Sequence, residues 1–134
     1  MQPLHPLHVV LLAGTVPVFL GALFSDMAYS MTYEIQWKNF ASWSIVWGLV
    51  LGGLALLWAL LGLLRADRRR GTRRLFYTGV LFASWVLGLV NAFVHAGDAW
   101  ASMPAGLVLS AIVGVLAIAA TWLGLADRDR VRAP

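Results

Sequence analysis

Between Phe40 and Leu64 the chain runs for twenty-five residues without a charge. About 20 apolar residues suffice for a helix to cross the hydrocarbon layer of a bilayer, so this block reads as a membrane span. It has company. Leu7–Phe24 is an eighteen-residue apolar run in which His8, Gly14, Thr15 and Pro17 stand out. At 1.5 Å per residue such a run covers about 27 Å, enough for a thin or locally adapted bilayer. Leu75–Val94 and Ala105–Ala126 supply two more blocks. With 60% hydrophobic and only 12% charged residues, a water-soluble fold would leave large apolar patches exposed. The pattern predicts an all-α integral membrane protein, a single four-transmembrane-helix bundle over residues 1–134, with spans at about 7–25, 40–64, 75–95 and 105–126.

A secretory signal peptide is the competing reading of the first block. The chain's first eight residues carry no Lys or Arg and no clear small-x-small cleavage site follows the apolar run, which favours a retained span. Pro17 removes one backbone hydrogen bond mid-span and predicts a kink there.

Arg65–Arg74 holds six of the nine arginines and lies between the second and third spans. Basic residues are retained on the cytoplasmic side, so this stretch is expected inside, with the Arg128, Arg130 and Arg132 tail beside it. Four spans then require both termini on the cytoplasmic side. The net charge of +4 is confined almost wholly to these two segments, a topological pattern rather than a nucleic-acid footprint. The absence of cysteine excludes disulfides, thiolate-held clusters, c-type haem attachment and a Cys nucleophile.

Small residues recur at or near four-residue spacing: Gly14, Gly21 and Ser25; Gly48 and Gly52; Ser84, Gly88 and Ala92; Gly106, Ser110 and Gly114. Such stripes let backbones approach closely and predict a tight bundle, and they also suit a homo-oligomer. Asp26–Ala41 reads either as a short interfacial helix with Tyr29, Tyr33 and Trp37 on one stripe, or as a loop with interfacial aromatics. Asp, Ser and Met coincide between Asp26–Met31 and Asp98–Met103. This points to two related helical hairpins, with a chance match as the equal alternative.

Few residues carry chemistry. His5, His8 and His95 invite a b-type haem or a quinone, with each His as ligand or hydrogen-bonding group. Topology opposes an intramolecular bis-His haem, because His8 and His95 belong at opposite membrane faces, about 25 Å apart. At the outer face Asp26, Glu34, Asn91, His95 and Asp98 gather. Asn91, His95 and Asp98 share one helical face, and Asp26, His95 and Asp98 form a candidate site for a divalent cation or a proton relay. The alternative is that Asp26 and Asp98 cap the helices or turns next to them and His95 bonds a neighbour. Met27, Met31 and Met103 suit lipid-facing packing better than Cu(I), and no nucleophile elbow, phosphate loop or zinc-protease motif occurs.

The chain resembles a bacterial family of small membrane proteins known as domain of unknown function 2231. The resemblance rests on Leu4-His5-Pro6-Leu7-His8, on Asp26, on Glu34–Trp43 (EIQWKNFASW), on Asn91–Ser110 (NAFVHAGDAWASMPAGLVLS) and on Trp122-Leu123-Gly124. It implies a four-span bundle without an established activity. It also implies an association of some relatives with periplasmic redox proteins such as Rieske-type domains or sugar dehydrogenases. Many relatives carry a His near the start of the third span, where this chain reads Leu75-Phe76-Tyr77-Thr78-Gly79. The first expectation is a non-catalytic anchor or accessory subunit for a periplasmic oxidoreductase. A haem b or quinone electron carrier comes second, and a small transporter or proton relay third.

Overall fold

A computed structural model describes residues 5–65, 71–97 and 99–132. Four long helices succeed one another: α1 (Pro6–Thr32), α2 (Ile35–Arg65), α3 (Gly71–Ala96) and α4 (Ala105–Arg132), with a 3₁₀ turn at Ala99–Ser102 before α4. All four carry segments long and apolar enough to cross a membrane, and no strand occurs among the described residues. The protein is an all-α four-helix membrane bundle. The centre of the arginine stretch, residues 66–70, lies outside the described residues.

Local chemistry sets the helix ends. His5 precedes α1 and its Nδ1 accepts the Leu7 N–H at 3.2 Å, while Pro6 occupies the first turn, where a missing N–H costs nothing. α1 continues through Pro17 and past Asp26 to Thr32. The expected polar interval 26–41 is therefore neither an interfacial helix nor a long loop. Asp26 does not stop the helix because its carboxylate faces the core and finds partners there. The aromatic stripe is split, with Tyr29 on α1, Tyr33 in the turn and Trp37 on α2. Only Tyr33 and Glu34 separate the helices. Tyr33 takes a left-handed conformation (φ 57°) and its N–H donates to the Tyr29 carbonyl at 2.8 Å. Thr32 Oγ1 accepts the Glu34 N–H at 3.3 Å.

At two other ends a cation reaches the carbonyls of a neighbouring helix terminus. Lys38 Nζ donates to the Gly97 carbonyl at 2.9 Å, just past α3, and Arg74 Nη1 to the Gly62 carbonyl at 3.4 Å near the end of α2. Both placements suit the negative pole of a helix dipole.

Each helix buries a ladder in alternating steps of four and three residues: 8, 12, 15, 19, 22, 26 on α1; 41, 45, 48, 52, 55, 59 on α2; 77, 81, 84, 88, 91, 95 on α3; 106, 110, 113, 117, 120, 124 on α4. Each pair of successive steps covers seven residues, the heptad repeat of left-handed bundles. α1 packs on α2 and α4, and α3 packs on the same two, so α1 and α3 face each other across a diagonal. The ladders align into layers. Next to the arginine end lies His8 with Tyr77, then Leu12 with Ala55, Leu81 and Ala120, then Thr15 beside Gly52. The Phe19 ring lies against Gly48 and Gly88, in one cluster with Val113 and Ala117. Asn91 meets Ser110 in the next layer, and Asp26, His95 and Gly106 close the far end.

Glycine is required where a ring needs the room. A Cβ on Gly48 would lie 2.5 Å from Phe19 Cε1, and one on Gly106 would lie 2.8 Å from His95 Cε1. Lipid tails are as apolar as the helix surfaces, so this close fit, rather than hydrophobic transfer, holds the helices together.

The matched segments of the internal repeat adopt different structures. Residues 27–31 are helical in α1, whereas Ala99–Ser102 forms the 3₁₀ turn. Equivalent ladder positions on α1 and α3 differ by 69 (95 − 26 and 77 − 8), not by the 72 (98 − 26) of the repeat.

Candidate functional site

The described polar side chains inside the bundle concentrate at its two ends. The larger group lies at the end away from the arginine stretch, on three helices. Asp26 on α1 is fully buried, and its Oδ1 lies 2.7 Å from His95 Nε2 on α3. Ser110 Oγ on α4 donates to Asp26 Oδ2 at 2.5 Å and accepts from Asn91 Nδ2 at 2.8 Å. His95 Nδ1 faces the Asn91 carbonyl at 2.9 Å, so that nitrogen carries a hydrogen and donates. The Nε2–Oδ1 contact then holds one further proton. Whichever atom carries it, the pair is neutral overall, which is what a fully buried acid requires in a membrane.

Ser, His and Asp are here in the wrong order for nucleophilic catalysis. Ser110 donates to the carboxylate rather than to the imidazole, so the Ser–His contact of a Ser-His-Asp triad is not made. Asn91 Oδ1 is buried and has no hydrogen-bond partner among the described residues.

Of the three expected metal ligands, Asp26 and His95 come together and bond each other directly, and Asp98 lies outside the described residues. No group of three His, Asp or Glu side chains is placed to hold a metal ion among the described residues. Glu34 is exposed in the α1–α2 turn, and Asp26 is a core residue of α1 rather than a cap. Met27 and Met31 point outward.

The second polar group lies at the arginine end. His8 is buried, and its Nε2 shares a 2.8 Å hydrogen bond with the Tyr77 hydroxyl across the diagonal. The His5 ring stacks on Trp58 at 5.2 Å between centroids, and His8 lies 5.6 Å from the same indole. His95 is level with Asp26, which stands eighteen residues (26 − 8) beyond His8 on α1, or about 27 Å along the helix. His8 and His95 therefore occupy opposite ends, and His95 has both ring nitrogens in hydrogen bonds.

Sequence spacing placed Asn91 and His95 on one face and Asp26 near them. It missed Ser110, which links Asp26 to Asn91, and Tyr77, the partner of His8. Ser110 stood out only as one member of a small-residue stripe, and its hydroxyl was the available signal.

The family model described as "Predicted membrane protein (DUF2231)" matches residues 2–132. No curated protein and no solved structure matches the chain. Spanning all four helices, the family match and the apolar bundle agree: the chain belongs to the DUF2231 family of predicted membrane proteins.

Proposed function

We propose that this protein is a non-catalytic integral membrane subunit, a closed scaffold that anchors or assists a periplasmic oxidoreductase. In this reading the arginine end faces the cytoplasm of a bacterial inner membrane, and the α1–α2 turn with the α3–α4 connection forms the docking face. One observation carries it. The interior polar groups Asp26, His95 and Ser110 bond one another rather than line a chamber, which leaves the ends and the outer surface to do the work. Around the short turn Tyr33, Glu34 and Trp37 are exposed, and Lys38 is half-buried with its ammonium on the Gly97 carbonyl.

Photo-crosslinking from residue 34 or 37 in native membranes tests this. The expected product is a covalent adduct with a protein bearing a periplasmic redox domain, and deleting the chain should release that protein from the membrane. If the adducts contain only lipid or a second copy, and deletion leaves the membrane complement of oxidoreductases unchanged, the proposal fails.

A proton relay is the second reading, favoured by the hydrogen-bonded run from His95 through Asp26 and Ser110 to Asn91. It ranks below the first for a physical reason. The layers of Phe19 with Gly48 and Gly88, and of Leu12 with Ala55, Leu81 and Ala120, are apolar and interrupt any path to His8.

A further inference from the structure

A groove runs down the outside of the bundle between α3 and α4, near the arginine end. It measures about 460 Å³ and is lined by Thr72, Leu75, Phe76, Gly79, Val80, Ala83 on α3 and Leu116 on α4. From Thr72 to Ala83 it covers eleven residues of α3 (83 − 72), about 17 Å, close to the roughly 15 Å depth of one hydrocarbon leaflet. Apart from the Thr72 hydroxyl at its mouth, the lining side chains are apolar. Arg73 stands at the same level, exposed, three and seven residues before the lining residues Phe76 and Val80 and so on their side of the helix. Four more arginines of the 65–74 stretch precede it in the chain.

An apolar slot one leaflet deep with a cation at its mouth matches one kind of molecule. We propose that this groove binds an anionic phospholipid, with an acyl chain lying along Gly79 and Ala83 and the phosphate beside Arg73. Basic pockets between membrane helices hold anionic headgroups by the same combination of charge and apolar contact. Gly79 supports the assignment. A Cβ there would meet nothing within 4 Å, so the bundle itself does not require this glycine, and its absent side chain opens the slot.

Native mass spectrometry of the full chain in mild detergent, titrated with phosphatidylglycerol or phosphatidylcholine of identical acyl chains, decides the matter. The phosphatidylglycerol adduct should survive at higher collision energy and form at lower lipid concentration. Arg73→Gln should weaken it about fivefold, the factor equivalent to ~1 kcal/mol per basic residue at an anionic surface. Gly79→Phe should abolish the adduct of either lipid while helical content is unchanged. Equal retention of both lipids by the wild-type chain, or unaltered phosphatidylglycerol binding in Arg73→Gln, would overturn the proposal. So would a dimer lost in Gly79→Phe with lipid binding intact, which would make a second copy the occupant.

Discussion

Asp26 and His95 meet across the diagonal of the bundle with 2.7 Å between Oδ1 and Nε2, and they stand 69 residues apart in the chain. His8 and Tyr77 meet across the same diagonal at the other end with the same separation. Two polar clasps in one register fix α1 against α3 along their shared length, although these helices are not neighbours in the bundle. The small residues on α2 and α4 let the diagonal pair approach. Gly48 admits the Phe19 ring and Gly106 admits the His95 ring.

Breaking the Asp26–His95 clasp from one side should be worse than removing it whole. Replacing one member of a buried pair leaves the other desolvated, which costs ~3–5 kcal/mol in soluble proteins. Asp26→Leu or His95→Leu should each destabilise strongly, and the double variant should cost clearly less than their sum. Asp26→Asn, which still accepts from Ser110 and still hydrogen-bonds His95, should be the mildest. Equilibrium unfolding in mixed micelles, arranged as a double-mutant cycle, checks this. Additive losses would mean that the two residues are not coupled.

The four spans were legible because a charge-free block of span length has few other uses. The face containing Asn91 and His95 was legible from helical spacing. Which helix supplies each partner was not. In a lipid-facing bundle every side of a helix is apolar, so hydropathy does not mark the buried face, and spacing says nothing of the register between helices. Ser110 and Tyr77 were hidden for that reason. Asp26 misled in another way. An aspartate after an apolar run, with polar residues beyond it, has the look of a helix boundary, yet here an imidazole and a hydroxyl satisfy its carboxylate and the helix runs on to Thr32.

Adding a methyl group should separate glycines that the core needs from one that it does not. Gly48→Ala places a Cβ 2.5 Å from a buried phenyl ring and should cost ~1–3 kcal/mol, the usual range for overpacking. Phe19→Leu in the same chain should recover part of that loss. Gly79→Ala meets open space and should fall within ~0.5 kcal/mol of the parent. Thermal unfolding of the three variants in one detergent is sufficient, and equal losses at positions 48 and 79 would contradict the layer packing.

The His8–Tyr77 clasp should respond independently of the Asp26–His95 one. Tyr77→Phe removes the hydroxyl that faces His8 Nε2 and leaves a buried imidazole nitrogen without that partner, at a cost of ~1–3 kcal/mol. The two clasps lie about 27 Å apart along α1, so Tyr77→Phe combined with Asp26→Asn should lose the sum of the separate effects. A combined loss well short of that sum would show that the clasps act as one cooperative unit.

Tyr33 should discriminate between backbone and side-chain contributions to the α1–α2 turn. Its φ of 57° is left-handed, a region that glycine enters freely and that costs other L-residues ~1–2 kcal/mol. Its ring also packs edge-on against Tyr29 at 6.3 Å, which offsets part of that cost. Tyr33→Gly relieves the backbone and loses the ring contact, so its net effect should be small. Tyr33→Val loses the same contact and brings a β-branched side chain into the left-handed region, where crowding is greatest. It should therefore be less stable than the glycine variant by at least ~1 kcal/mol. Comparing the unfolding midpoints of these two variants isolates the backbone effect, because neither keeps the aromatic ring. Equal midpoints would mean that the turn relaxes out of the left-handed conformation once the tyrosine is gone.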